Sequence, residues 1–371
     1  MSSLPPSFLF TSTVLGLSIS ALIQMSPVLA AQLGASYTEI GLAMGAARLT
    51  PYVVLSPMTG LILRRVGGDQ VLALSAAFTV GSHILLSMSK DLSLITLAQV
   101  TSGLSMAFYY PVAEIILAAN YHGSERMRAF SKFGAASAIG FLAGSILSGM
   151  IAQYLGLARM FMVLGVSVGL TIPYMLRTGL RAKFSFNSER NLASLFKSLI
   201  PAFSVTLPFY MIFGIAQVII PGYAALTGIS ELEIGVLFLG MWVTRILASI
   251  IMAKRAAGNI GRYFIASGSA LAALLSTTAL SPGLPSLTAL LMVMGAVISV
   301  IYILTLYLTS ARAEGNQTVA IGAYETIIGV AFLTGIPIAG LAADMLGVPT
   351  LFLGMALLSL ASGFAGYISR R

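Results

Sequence analysis

Apolar residues in this chain of 371 neither mark one face of a helix nor alternate along a strand. They fill long windows, broken by short clusters of charge, Gly, Pro and Asn. Twelve windows stand out: 8–31, 38–63, 71–89, 92–119, 129–155, 158–176, 199–225, 232–253, 263–280, 287–309, 318–342 and 350–368. A helix apolar on every side is buried in lipid or protein, and a hydrocarbon core about 30 Å thick is crossed by about 20 helical residues. The pattern predicts an all-α polytopic membrane protein with twelve transmembrane helices, leaving about 130 residues for connections. The first window ends in Val28-Leu29-Ala30-Ala31, similar to a signal-peptidase site. No Lys or Arg precedes it and its apolar stretch is too long for a secretion signal, so it reads as a retained helix.

Composition agrees: 58% of residues are hydrophobic, 8% are charged, and the mean hydropathy is +0.97, which excludes a water-soluble globular domain. No cysteine and only two histidines are present, which removes disulfide frameworks, thiol nucleophiles and typical zinc centres. The phosphate-loop pattern G-x-x-x-x-G-K-[ST] is missing from the sequence. An enzyme, a cofactor and a metal are therefore not expected. A net charge of +9 would suit nucleic acid only if it were clustered. Instead, 16 of the 20 basic residues fall in alternate connections and at the C-terminus, while Lys90 and Arg159 lie on the other side. The positive-inside bias predicts both termini in the cytoplasm and makes the charge topological, so the expected surroundings are a lipid bilayer and no nucleic acid. The only sizeable polar stretch divides the chain into a six-helix bundle over 1–177, a cytoplasmic linker over 178–197 and a second bundle over 198–371.

The two halves repeat. Pro27 and Glu39-Ile40-Gly41 recur as Pro221 and Glu233-Ile234-Gly235, an offset of 194; Gly149, Gln153 and Gly156 recur as Gly340, Asp344 and Gly347, an offset of 191, as do Arg64 and Gly67 in Arg255 and Gly258. Three residues are missing from helix 8 relative to helix 2. Two six-helix repeats place a binding site between them near the bilayer midplane.

The loop Gly60-Leu61-Ile62-Leu63-Arg64-Arg65-Val66-Gly67-Gly68 is similar to the G-x-x-x-D-R-x-G-R signature of the major facilitator superfamily, with Arg64 in place of the aspartate. The loop at Gly123-Ser124-Glu125-Arg126 also resembles that family's entry into helix 5. The resemblance covers essentially the whole chain and implies two pseudo-symmetric bundles working by alternating access. In the family the acidic residue of this loop latches helix 2 to helix 11 on the cytoplasmic side. Here a charge-reversed latch between Arg64 and Glu325 is expected, with Arg65, Gly67 and Arg255 in the same gating set. Where proton-coupled members carry Arg in helix 4, this chain has Gln99, four residues before Gly103. Helix 5 carries Gly140-x-x-x-Gly144-Ser145-x-x-Ser148-Gly149, a partial match to the glycine motif of drug antiporters that also suits plain helix packing.

Four charges remain deep inside helices: Arg48, Glu114, Arg245 and Glu325. A midplane Arg costs about 2.5 to 3.5 kcal/mol on insertion scales, so each needs a reason. Arg48 and Arg245 occupy the pseudo-equivalent helices 2 and 8. They suit an anion clamp of two guanidinium forks, and nitrate and nitrite porters of the superfamily resemble this arrangement. The competing expectation is that the arginines are structural ties to Glu114 or Glu325. These glutamates are also candidates for coupling to a proton or sodium. Gln24, Gln217, Tyr110, Tyr210 and Tyr302 are the neutral polar candidates for the substrate site. The expected function is secondary active transport of a small solute, best a small anion, by a monomer. Export of amphipathic, drug-like compounds and a non-transporting receptor or scaffold are the alternatives.

Overall fold

The computed structural model describes residues 4–176, 192–254, 260–313 and 316–368, with the backbone alone for Arg64 and for residues 192–194. Twelve long apolar helices account for nearly all of them: α1 Pro6–Gln32, α2 Tyr37–Leu63, α3 Gly68–Ser87, α4 Leu92–Asn120, α5 Gly123–Leu155, α6 Leu157–Met175, α7 Leu192–Leu226, α8 Glu231–Lys254, α9 Ile260–Leu280, α10 Leu284–Arg312, α11 Gln317–Leu346 and α12 Val348–Ile368. No strand occurs among the described residues. α7 begins at Leu192, so the last six residues of the expected linker are helical; the rest of that linker, and Arg255, lie outside the described residues.

The repeat read from the sequence is also a repeat of backbone conformation. Gly34 and Gly228, 194 apart, have φ of 84° and 82°, and Gly156 and Gly347, 191 apart, have φ of 83° and 81°. Each ends a helix by a turn that a side chain would strain. Ser36 with Glu39 and Ser230 with Glu233 form matching reciprocal caps at the starts of α2 and α8. Between Gly41 and Arg64 there are three more residues than between Gly235 and Arg255, and α2 widens into a π-helical turn over Leu42–Ala47, which packs more residues into a given length. α8 is α-helical throughout.

Within the first half, α5 packs along α1. A Cβ at Gly140 would lie 2.0 Å from the Thr13 carbonyl oxygen, and one at Gly144 2.1 Å from that of Leu17. The partial glycine motif of helix 5 is thus a close-packing seam. The halves meet through α5 on α8, α2 on α11 and α1 on α7. For orientation, the face carrying both chain ends is called the terminal face, and the other the distal face.

Candidate functional site

Between the halves lies a cavity of about 70 Å³, room for a handful of water-sized atoms. The residues around it recur at three- and four-residue spacing, which places each set on one face of its helix. Met106, Tyr110 and Glu114 come from α4, Phe133, Ser137 and Phe141 from α5, and Tyr210, Phe213 and Gln217 from α7. Trp242 and Arg245 come from α8, and Glu325, Ile328 and Phe332 from α11. Ile23, Tyr52, Gly134 and Tyr302 complete the wall. A larger groove of about 750 Å³ sits on the flank, lined mostly by apolar residues such as Leu61, Phe196 and Ile200. It lacks the convergent polar groups of the central cavity.

Among the described residues, one cation lines the cavity. The guanidinium carbon of Arg245 is 5.2 Å from the ring centroid of Trp242, 5.8 Å from Phe213 and 5.9 Å from Tyr302. Ring faces stabilise a cation by about 0.5 to 2 kcal/mol without occupying its N–H groups as hydrogen-bond acceptors do. Arg245 forms no ion pair among the described residues.

It also holds two acids. Tyr302, from the second half, donates a hydrogen bond of 2.6 Å to Glu114 Oε1 in the first. Tyr52, from the first half, donates to Glu325 Oε2 in the second. Both carboxyl groups belong to residues that line the cavity. Glu114 is 0% and Glu325 2% exposed, and Glu114 Oε2 has no donor.

Contacts between the halves flank the cavity on both sides. On the distal face, Asp344 at the end of α11 accepts from the backbone N–H of Tyr37 at 3.1 Å, the backbone N–H of Thr38 at 2.8 Å and the Thr38 hydroxyl at 2.6 Å. It thereby caps the N-terminus of α2. Gln32 donates to Glu231 at 2.7 Å beside it. A Cβ on Gly340 would lie 2.3 Å from the Tyr37 carbonyl oxygen, and one on Gly235 2.6 Å from that of Ser145. Toward the terminal face, Arg126 Nη1 donates to the Ser310 carbonyl at 3.0 Å, tying α5 to α10.

Several sequence expectations change here. Arg48 is 3% exposed, does not line the cavity, and leaves Nε and Nη1 without partners. Of the two clamp arginines, the structure brings Arg245 and not Arg48 to the cavity. Neither arginine is tied to Glu114 or Glu325, whose partners are tyrosines. Gln24 does not face the cavity either: its amide donates to Ser20 at 2.9 Å and Ser145 at 2.7 Å, knitting α1 to α5. Gln217, Tyr110, Tyr210 and Tyr302 line the cavity. Glu325 accepts from Tyr52, which lies twelve residues before Arg64, about 18 Å along the helix. The Arg64 side chain is outside the described residues, Arg65 is exposed, and Gly67 ends helix 2 with φ of 86°. Trp242, Phe213 and Tyr52 were not singled out from the sequence. Trp242, three residues before Arg245, carried a usable signal, since that spacing shares a helix face.

Two helical halves around a central cavity that carries a few charged and hydroxyl groups, borne on twelve apolar helices, define an integral, multi-pass membrane transporter of the secondary class. The chain belongs to the Major Facilitator Superfamily, whose family model matches residues 8–201. Among solved structures, the crystal structure of the human organic anion transporter MFSD10 (TETRAN) is similar in fold, with a TM-score of 0.73 at 16% identity, covering 98% of this chain and 100% of that one. No curated protein matches the chain in sequence.

Proposed function

We propose that this transporter moves a small organic anion by alternating access, with Arg245 as the group that holds the negative charge. The observation that carries the reading is a cavity-facing guanidinium braced by Trp242, Phe213 and Tyr302 and free of any ion pair among the described residues. A guanidinium so placed offers its fork to a carboxylate or another oxyanion. The cavity volume of about 70 Å³ favours a ligand of few atoms, and the aromatic rings favour an organic one. The description of MFSD10 as an organic anion transporter agrees in class. Arg48 enters this reading only as a buried neighbour of the site.

A thermal-shift screen of the purified protein tests the proposal with short carboxylates, benzoate, inorganic phosphate, neutral sugars and lipophilic cations. A ligand at about a hundredfold its Kd adds about 2.7 kcal/mol of stability. Stabilisation by a carboxylate, lost in Arg245→Gln, followed by saturable uptake of that carboxylate into proteoliposomes, is the expected result. Stabilisation by lipophilic cations alone would transfer the assignment to amphipathic export. Binding without flux would indicate a receptor.

A further inference from the structure

The groove on the flank is built by the terminal-face ends of three helices: residues 57–61 of α2, 196–203 of α7 and 318–327 of α11. α2 belongs to the first half and α7 and α11 to the second, and the halves touch inside it, where Gly60 has no room for a Cβ beside the Thr318 methyl group. From Thr318 to Ile327 the lining follows α11 for about 14 Å. That is close to the depth of one leaflet in a hydrocarbon core about 30 Å thick. Exposed apolar side chains such as Leu61, Phe196 and Ile200 are ordinary on a lipid-facing helix, but a recess of about 750 Å³ is not. Left empty it would forfeit the dispersion contacts of its walls, and those apolar walls offer water few partners. The groove therefore calls for a hydrocarbon occupant.

Its mouth is basic. Among the described lining residues Lys197 is the charged one. Arg65, exposed, follows Leu61 by one turn on the same helix face. Arg312 Nη1 donates to the Ser198 carbonyl at 2.9 Å, which holds a second guanidinium against the first turns of α7. We propose that this groove binds an anionic phospholipid of the terminal-side leaflet, with one acyl chain laid between α2, α7 and α11 and its phosphate at Lys197. A basic mouth above an apolar trough fits a phosphate head with a chain beneath it, and the lipid bridges the two halves where α2 meets α11. The chain's own linker is the competing occupant, but residues 178–191 carry Arg181, Lys183 and Arg190 against Glu189, a net charge of the same sign as Lys197. The inference rests on the transporter fold and not on the anion assignment.

A phosphatidylglycerol with a photoreactive diazirine in its acyl chain tests the occupant. Irradiated with the full chain in phosphatidylcholine nanodiscs, it is expected to label residues 196–203 and 318–327 several-fold more than α12, whose Leu353 and Leu357 are also exposed. The same probe with a phosphatidylcholine head should lose that preference. So should the phosphatidylglycerol probe on Lys197→Gln and Lys197→Glu, changes at an exposed position that leave the fold intact. Ala323→Leu, which narrows the groove, should lower its labelling with either head. In detergent, phosphatidylglycerol should raise the wild-type Tm more than phosphatidylcholine does, while glycerol phosphate without chains should not. Labelling spread evenly over α12 and the groove would overturn the proposal, as would equal labelling by the two heads or an equal rise in Tm with glycerol phosphate. Weak groove labelling that grows when residues 178–191 are replaced by a Gly-Ser linker would overturn it too and give the groove to that segment. None of these readouts uses a transported anion, so failure of the anion assignment leaves them untouched.

Discussion

Arg245 and Arg48 are the same residue type on pseudo-equivalent helices, and their surroundings give them opposite fates. The fork of Arg245 opens onto the cavity between aromatic rings, whereas Arg48 is sealed between α2 and α4, where a Cβ on Gly103 would lie 1.8 Å from its carbonyl oxygen. A charge-assisted hydrogen bond contributes about 1.5 to 3 kcal/mol. Arg245→Gln is therefore expected to weaken anion binding by tenfold or more at unchanged Tm, and Arg245→Lys to recover little of it, because a point charge cannot reproduce a bidentate fork. Arg48→Met removes a buried charge with two unpartnered nitrogens, and its Tm should equal or exceed that of the wild type with anion affinity retained. Thermal-shift titration of both variants with one carboxylate separates these outcomes. Loss of binding in Arg48→Met would restore the two-arginine clamp.

Among the helices, the informative contact is the distal seam of α2 and α11. The first turn of α2 presents unpaired N–H groups and the positive end of its dipole, and Asp344 reaches them from the other half. The family's cytoplasmic latch joins these same two helices at the opposite end. In this chain the aspartate of that motif is Arg64, and a carboxylate-to-helix latch is found on the distal face instead. Asp344→Asn loses the charge while keeping the shape, and a loss of about 1 to 2 kcal/mol changes a population ratio by about 5 to 30-fold. The expected outcome is faster labelling of Cys introduced at Ile23 by a thiol reagent added from the distal side. An unchanged rate would mean that the seam is held by its close backbone packing alone. Gly340→Ala probes that packing directly, since its Cβ meets backbone at 2.3 Å and the helices must separate to admit it.

For the whole molecule, the prediction concerns orientation. The positive-inside bias of the basic residues predicts the terminal face in the cytoplasm, and a chain without cysteine makes single-cysteine labelling clean. In intact cells an impermeant thiol reagent applied outside should label Cys introduced at Ser89 or Ser281, between distal helix ends, and spare Cys introduced at Ser188. The reverse pattern would invert the protein and with it the side from which Arg245 is reached.

The number of helices, their spans within about four residues except for the earlier starts of α5 at Gly123 and α7 at Leu192, and the two-fold repeat were legible in the sequence, because lipid demands an apolar surface over a fixed length and because Gly34 and Gly228, or Gly156 and Gly347, must repeat where backbone turns repeat. The cost of an intramembrane charge was equally legible, and it singled out Arg245, Glu114 and Glu325, all of which line the cavity. It singled out Arg48 too, which does not. Hydropathy reports that a residue is costly and says nothing about which way its side chain turns. That depends on helix rotation and on which neighbour comes close, here Gly103 against Arg48, Tyr302 against Glu114 and Tyr52 against Glu325. These pairs join residues 55, 188 and 273 positions apart, and no local pattern links them. The chain alone determined that acids and arginines were buried; only the docking of one half on the other decided that each acid meets a tyrosine of the opposite half and that Arg245 lines the cavity while Arg48 does not.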